Sequence, residues 1–150
     1  MDTDGRVRAG DHSEDGRGPG LLEISTEMVR LFKEQFGRGP TRARASWVGP
    51  DAIAVILEDT LTPAERNLVK MGQHERLREM RSFFQYASVK EFCEPIERIT
   101  GRKVRAFVSG FDTEAGGVAV ETFLLHPEGS DEPSRSELAS TMTGRTTPVA

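Results

Sequence analysis

Arg42 and Arg44 stand two apart in "GRGPTRARASWVG" (37–49), behind two glycines and a proline. Arginines at that spacing in an extended chain point to one side. Together they can meet a nucleic-acid backbone, an anionic lipid headgroup or an acidic protein surface. Arg38 precedes them. A second basic group, Arg102, Lys103 and Arg105, follows another glycine at 101. These six are the candidate anion- or partner-binding residues. The glycines themselves make a poor phosphate cradle. A P-loop has the pattern GxxxxGK[ST] and opens a helix. Gly37 instead closes a helical stretch, where the backbone presents carbonyls of the wrong polarity for an anion. The six residues read equally as a solvated strand face partnered by carboxylates.

Other reactive residues form no catalytic arrangement. His74 and His126 could be grouped with Glu75, Glu79 or Asp112, but no HExxH or Cys/His spacing supports a metal. Cys93 lies on an apolar stripe beside Phe92 and reads as a core cysteine. As the sole cysteine it excludes an intrachain disulfide, which suits a reducing, cytoplasmic setting. Glu58 and Asp59 form a carboxylate pair with no evident acid–base partner. The expectation is a chain that is not an enzyme and needs no cofactor.

The elements that must position these residues follow from periodicity. Leu21, Ile24, Met28, Leu31, Phe32 and Phe36 have helical spacing, with Gly37 as the C-cap and Pro40 preventing resumption. Residues 41–48 and 53–59 alternate as two strands about the turn "GPDA", with Ala43, Ala45 and Trp47 on one face of the first. "TPAE" (62–65) is a capping box with proline in the first turn. A helical pattern covers 73–100, with Leu77, Met80, Phe84, Phe92, Ile96 and Ile99 inward. Pro95 should kink it, and "SVKE" (88–91) offers a second start, so one helix and two remain open. Residues 103–109 and 118–125 form a second hairpin, closed by "GFDTEAGG".

Residues 21–126 carry 15 basic and 15 acidic side chains, so the formal charge of −4 belongs to the ends. Residues 1–20 and 127–150 have little to bury and are expected to be disordered. The first twenty residues lack the apolar run of a cleavable signal. "AIAVIL" (52–57) is far shorter than the ~20 residues a spanning helix needs.

The two halves resemble each other. Gly37 aligns with Gly101, Arg38 with Arg102, Phe32 with Ile96, Met28 with Phe92, Arg44 with Arg105, Ala45 with Ala106, Ile53 with Val118 and Val55 with Val120. Amphipathic patterning alone produces part of this match. Two helix–hairpin units joined edge to edge give an α+β fold: a two-layer sandwich with a four-stranded, mainly antiparallel sheet covered by helices. Its open face is expected to carry Arg42, Arg44, Arg105 and Glu121, with Phe107 and Phe123 among them.

"EQFGRGPTRAR", "VILEDTLTPAERNLV" and "IERITGRKVRAFVSGFDTEAGGVAVETFLL" together resemble the MpsC-type domain family over about residues 22–126. That family is named for a bacterial Na⁺-translocating, membrane-potential-generating system. The resemblance carries no catalytic residues. It implies an accessory or regulatory protein beside a membrane complex, since a chain without a spanning segment cannot form the ion path. The partners expected are subunits of a membrane transport complex and further copies of the same chain, met in the cytoplasm or at the inner face of the membrane. Nucleic-acid binding through the arginine face is the alternative, and the balanced core charge weighs against it.

Overall fold

The computed structural model describes residues 18–138. Helix α1 (Gly18–Phe36) starts slightly before the expected position, and most of the N-terminal tail lies outside the described residues. Ile24, Met28, Leu31 and Phe32 are buried on one stripe of α1. Gly37, at φ +75°, donates its N–H to the Lys33 carbonyl and ends the helix in the left-handed conformation glycine favours.

Strands β1 (Arg42–Trp47) and β2 (Ala52–Glu58) form the first hairpin, and β3 (Val104–Asp112) and β4 (Val118–Leu125) the second. Between them run α2 (Pro63–Lys70), α3 (His74–Ala87) and α4 (Val89–Thr100). The sheet has the order β1-β2-β4-β3, with every neighbouring pair antiparallel. The hairpins thus join through their second strands and leave β1 and β3 as edges. Helices cover one face, where Ile53, Val55 and Leu57 of β2 meet Ala119, Phe123 and Leu125 of β4 and the stripes of α1 and α4. This is the expected α+β two-layer arrangement.

Three expectations differ from the structure, and one open alternative resolves. First, Glu121, Phe107 and Phe123 are not on the open face; all three are buried beneath the helices. In β4 both alternating sets, Val118/Val120/Thr122/Leu124 and Ala119/Glu121/Phe123/Leu125, are rich in apolar residues. Parity alone therefore could not choose the inward set. In β3 the register shifts between Val104 and Ala106, which puts Arg105 at a bulge.

Second, the inward stripe of α3 is Leu77, Arg81 and Gln85, while Phe84 is partly exposed. Third, the 73–100 pattern, open in the sequence between one helix and two, is two helices. They part at Ser88, which makes no side-chain cap, and α4 continues across Pro95. Fourth, the chain stays packed beyond 126. Ser134 is buried and donates to Glu97 Oε2 at 2.7 Å, and residues 135–138 form a helical turn. Polar contacts, among them Ser134 to Glu97 and the His126 ring to the Pro133 carbonyl at 3.2 Å, hold this segment, and composition does not reveal that. Residues 139–150 lie outside the described residues.

Exchanging the hairpins leaves the strand order unchanged. The residues matched between β2 and β4 nevertheless disagree in burial. Ile53 and Val55 are buried, whereas Val118 and Val120 are half-buried on the opposite face.

Candidate functional site

The six basic residues do not gather. Arg38 bonds through Nη1 to the Asp59 and Leu61 carbonyls, at 2.6 and 3.0 Å, and through Nη2 to Asp59 Oδ2 at 2.9 Å. Arg102 similarly reaches the carbonyls of His126 and Pro50, at 2.8 and 2.9 Å. Arg38 ties down the chain just after β2, and Arg102 links the chain just after β4 to the β1–β2 turn. Arg42 faces Glu58 at 4.0 Å and Arg105 faces Asp51 at 3.7 Å, all four being substantially exposed. The register puts Arg42 at one end of edge strand β1 and Arg105 at the far end of edge strand β3. Three strand spacings, about 14 Å, separate those edges. Arg44 and Lys103 are exposed and make no ion pair among the described residues. The arginine face therefore reduces to Arg42 and Arg44.

The strongest concentration of chemistry is inside. The capping box at α2 forms as expected. Glu65 N–H donates to Thr62 Oγ1 at 3.2 Å, and Thr62 N–H donates to Glu65 Oε1 at 2.8 Å. Glu65 also receives Arg81 Nε at 2.6 Å and Nη2 at 2.7 Å. Arg81 Nη2 further donates to the Thr60 carbonyl at 2.8 Å. Arg81 is 0% exposed. Its guanidinium lies 4.0 Å from the Phe36 ring centroid and 4.5 Å from that of Phe111, two cation–π contacts. Burial raises the Glu65 pKa, but the hydrogen bonds from Arg81 and Thr62 outweigh it, and the group sits below the ordinary carboxylate value.

One turn further along α3, Gln85 Nε2 donates to Glu121 Oε1 at 2.7 Å, and the Ser109 hydroxyl donates to the same oxygen at 2.9 Å. Burial pushes the Glu121 carboxyl up to about 8, against the smaller opposing effects of the Ser109 bond and the Arg81 charge. Tyr86 connects this interior to the surface, its hydroxyl oxygen accepting the Ser109 N–H at 2.9 Å. The C-terminal half of α3 carries exposed aromatic rings on its outer side. Phe83 is 71% exposed and, with Ser82, Tyr86, Ala87 and Glu79, lines an open depression.

Sequence reasoning missed Arg81 and Gln85 and put Glu121 on the open face. The available signal was their spacing. Arg81 and Gln85 follow Leu77 at intervals of four, and Glu121 alternates with Ala119, Phe123 and Leu125. Cys93 is a core thiol, raised to about 12 by burial and by the Glu97 charge. His74 Nδ1 pairs with Thr113 Oγ1 at 2.6 Å. Among the described residues, no three of His, Cys, Asp or Glu gather where a metal ion could be held.

A family model described as "Na+-translocating membrane potential-generating system (MpsC)" matches residues 21–126, from the first turns of α1 to just past β4. No curated protein and no solved structure matches the chain.

Proposed function

The chain belongs to the MpsC family, and from that membership we propose that it is a non-catalytic accessory or regulatory component of a Na⁺-dependent, membrane-potential-generating system. It acts through protein–protein contacts at the cytoplasmic face of the membrane. The observation that carries this reading is that the match spans the whole sheet and all its covering helices. A second fact fits it: no helix among the described residues is long and apolar enough to cross a membrane. The ion path then belongs to other subunits, and this domain meets them through its surface. Two surfaces suit such contacts: Arg42 with Arg44 on edge strand β1, and the aromatic outer side of α3.

The test is purification of the tagged chain from gently solubilised membranes of its own organism after in-cell cross-linking. Recovery with integral membrane subunits supports the proposal. Recovery of the chain alone, or only with copies of itself, contradicts it. A second reading, anion or nucleic-acid binding, rests on the exposed pair Arg42 and Arg44. Titration with RNA and DNA at two salt concentrations distinguishes it, because phosphate contacts give a steep salt dependence.

A further inference from the structure

Three buried polar atoms around α3 and β4 have no partner: Glu121 Oε2, Gln85 Oε1 and Arg81 Nη1. Unsatisfied groups of this kind are rare in a core because each loses its hydration without replacement. Glu121 and Gln85 are already joined by one bond, from Gln85 Nε2 to Glu121 Oε1. As a carboxylate, Glu121 offers acceptors only, so its second oxygen cannot satisfy the amide oxygen. One proton resolves both deficits. A carboxylic acid donates from Oε2, and the amide accepts at Oε1.

We propose that Glu121 is a proton-binding site, held as a neutral acid in a two-bond cyclic pair with Gln85, and that loss of its proton transfers the carboxylate to Arg81 Nη1. The charges around it agree. Arg81 and Gln85 face it from α3, Ser109 from β3, and the apolar Val55 stands opposite on β2. Glu65 of α2 and Tyr86 act on it only through Arg81 and Ser109. Arg81 is the only cation among these, and Glu65 already neutralises it. A second carboxylate would leave a net negative charge among Phe36, Phe111 and the apolar core, where ionisation is disfavoured. Once formed, that charge has one unused donor nearby, Arg81 Nη1.

Helix α3 carries both alternative partners, Gln85 and Arg81, and the exposed Phe83 and Tyr86 on its outer side. The proton therefore decides how α3 is tied to the sheet, and the outer surface of α3 follows. This inference stands apart from any role at the membrane.

NMR of the full chain labelled with carbon-13 at glutamate and nitrogen-15 at arginine tests it. At pH 7 the Glu121 carboxyl resonance is expected at the position of a protonated acid, moving only above that pH, with the Arg81 Nε signal shifting in step. A Glu121 resonance already ionised at pH 6, or ionisation that leaves Arg81 unchanged, overturns the proposal. Glu121→Gln provides a second readout, since glutamine can make the same two-bond pair with Gln85. The folding constant of the wild type, relative to that of Glu121→Gln, is expected to fall up to tenfold per pH unit between about pH 5 and 8. A ratio independent of pH overturns the proposal as well.

Discussion

Arg81 has its guanidinium close to two aromatic rings and makes three hydrogen bonds to oxygen. Removing it leaves Glu65 charged in a dry place. Arg81→Met is therefore expected to lower stability by about 3–5 kcal/mol in urea denaturation at pH 7, and Arg81→Met with Glu65→Leu to recover a good part of that. A loss below about 1 kcal/mol for the single variant would mean that water reaches Glu65. Half of this arrangement was legible in the sequence. The Thr62–Glu65 capping box is a local pattern, readable from spacing. The partner of Glu65 lies sixteen residues away on another helix. No local spacing identifies it.

Among the elements, α3 was the hardest to read. Met80 and Phe84 drew the apolar stripe toward themselves, whereas the helix buries Leu77, Arg81 and Gln85 and leaves Phe84 partly exposed. The β1–β2 hairpin was easier, because Arg42 and Arg44 mark its outer side and Ala45 its inner side. The basic residues divide by element, and their variants should divide likewise. Arg42→Gln with Arg44→Gln is expected to stay within about 0.5 kcal/mol of the parent in chemical denaturation, since exposed charges contribute little. Arg38→Gln or Arg102→Gln should each lose roughly 1–3 kcal/mol, because each removes charged hydrogen bonds to backbone carbonyls at strand ends and turns. Equal losses in both classes would contradict this division. Glycines provide a parallel contrast. At Gly37 an added Cβ meets nothing within 4 Å, so Gly37→Ala carries only the strain of positive φ, about 1 kcal/mol. At Gly117, with φ +84°, a Cβ would lie 2.6 Å from Leu61 Cγ, and its N–H and C=O lie in the turn that bonds Thr60. Gly117→Ala is expected to shift the thermal midpoint down further than Gly37→Ala.

For the whole molecule, two buried carboxyls set opposing pH limits. Glu65 has a depressed pKa, so its contribution is present above the ordinary glutamate value and lost as the pH falls. Glu121 has a raised one, so its contribution is complete at low pH and lost as the pH rises toward about 8. Thermal melts of the parent should therefore peak in weakly acidic solution, and Glu121→Gln should extend the plateau upward. A parent whose stability kept rising to pH 9 would contradict the Glu121 assignment. The sandwich and its four antiparallel strands were readable because helical and strand periodicities are local and the turns carry glycine and proline. The docking of residues 127–138 was not, since it rests on specific polar contacts such as Ser134 with Glu97 and His126 with the Pro133 carbonyl.

The claim that this domain serves a Na⁺-dependent membrane-potential-generating system is tested most directly in living cells. The measurement is the membrane potential of its own organism with the gene deleted, read by a potential-sensitive dye across a range of Na⁺ concentrations. The expected result is a lowered, Na⁺-sensitive potential that the parent chain restores. An unchanged potential at every Na⁺ concentration would contradict the account.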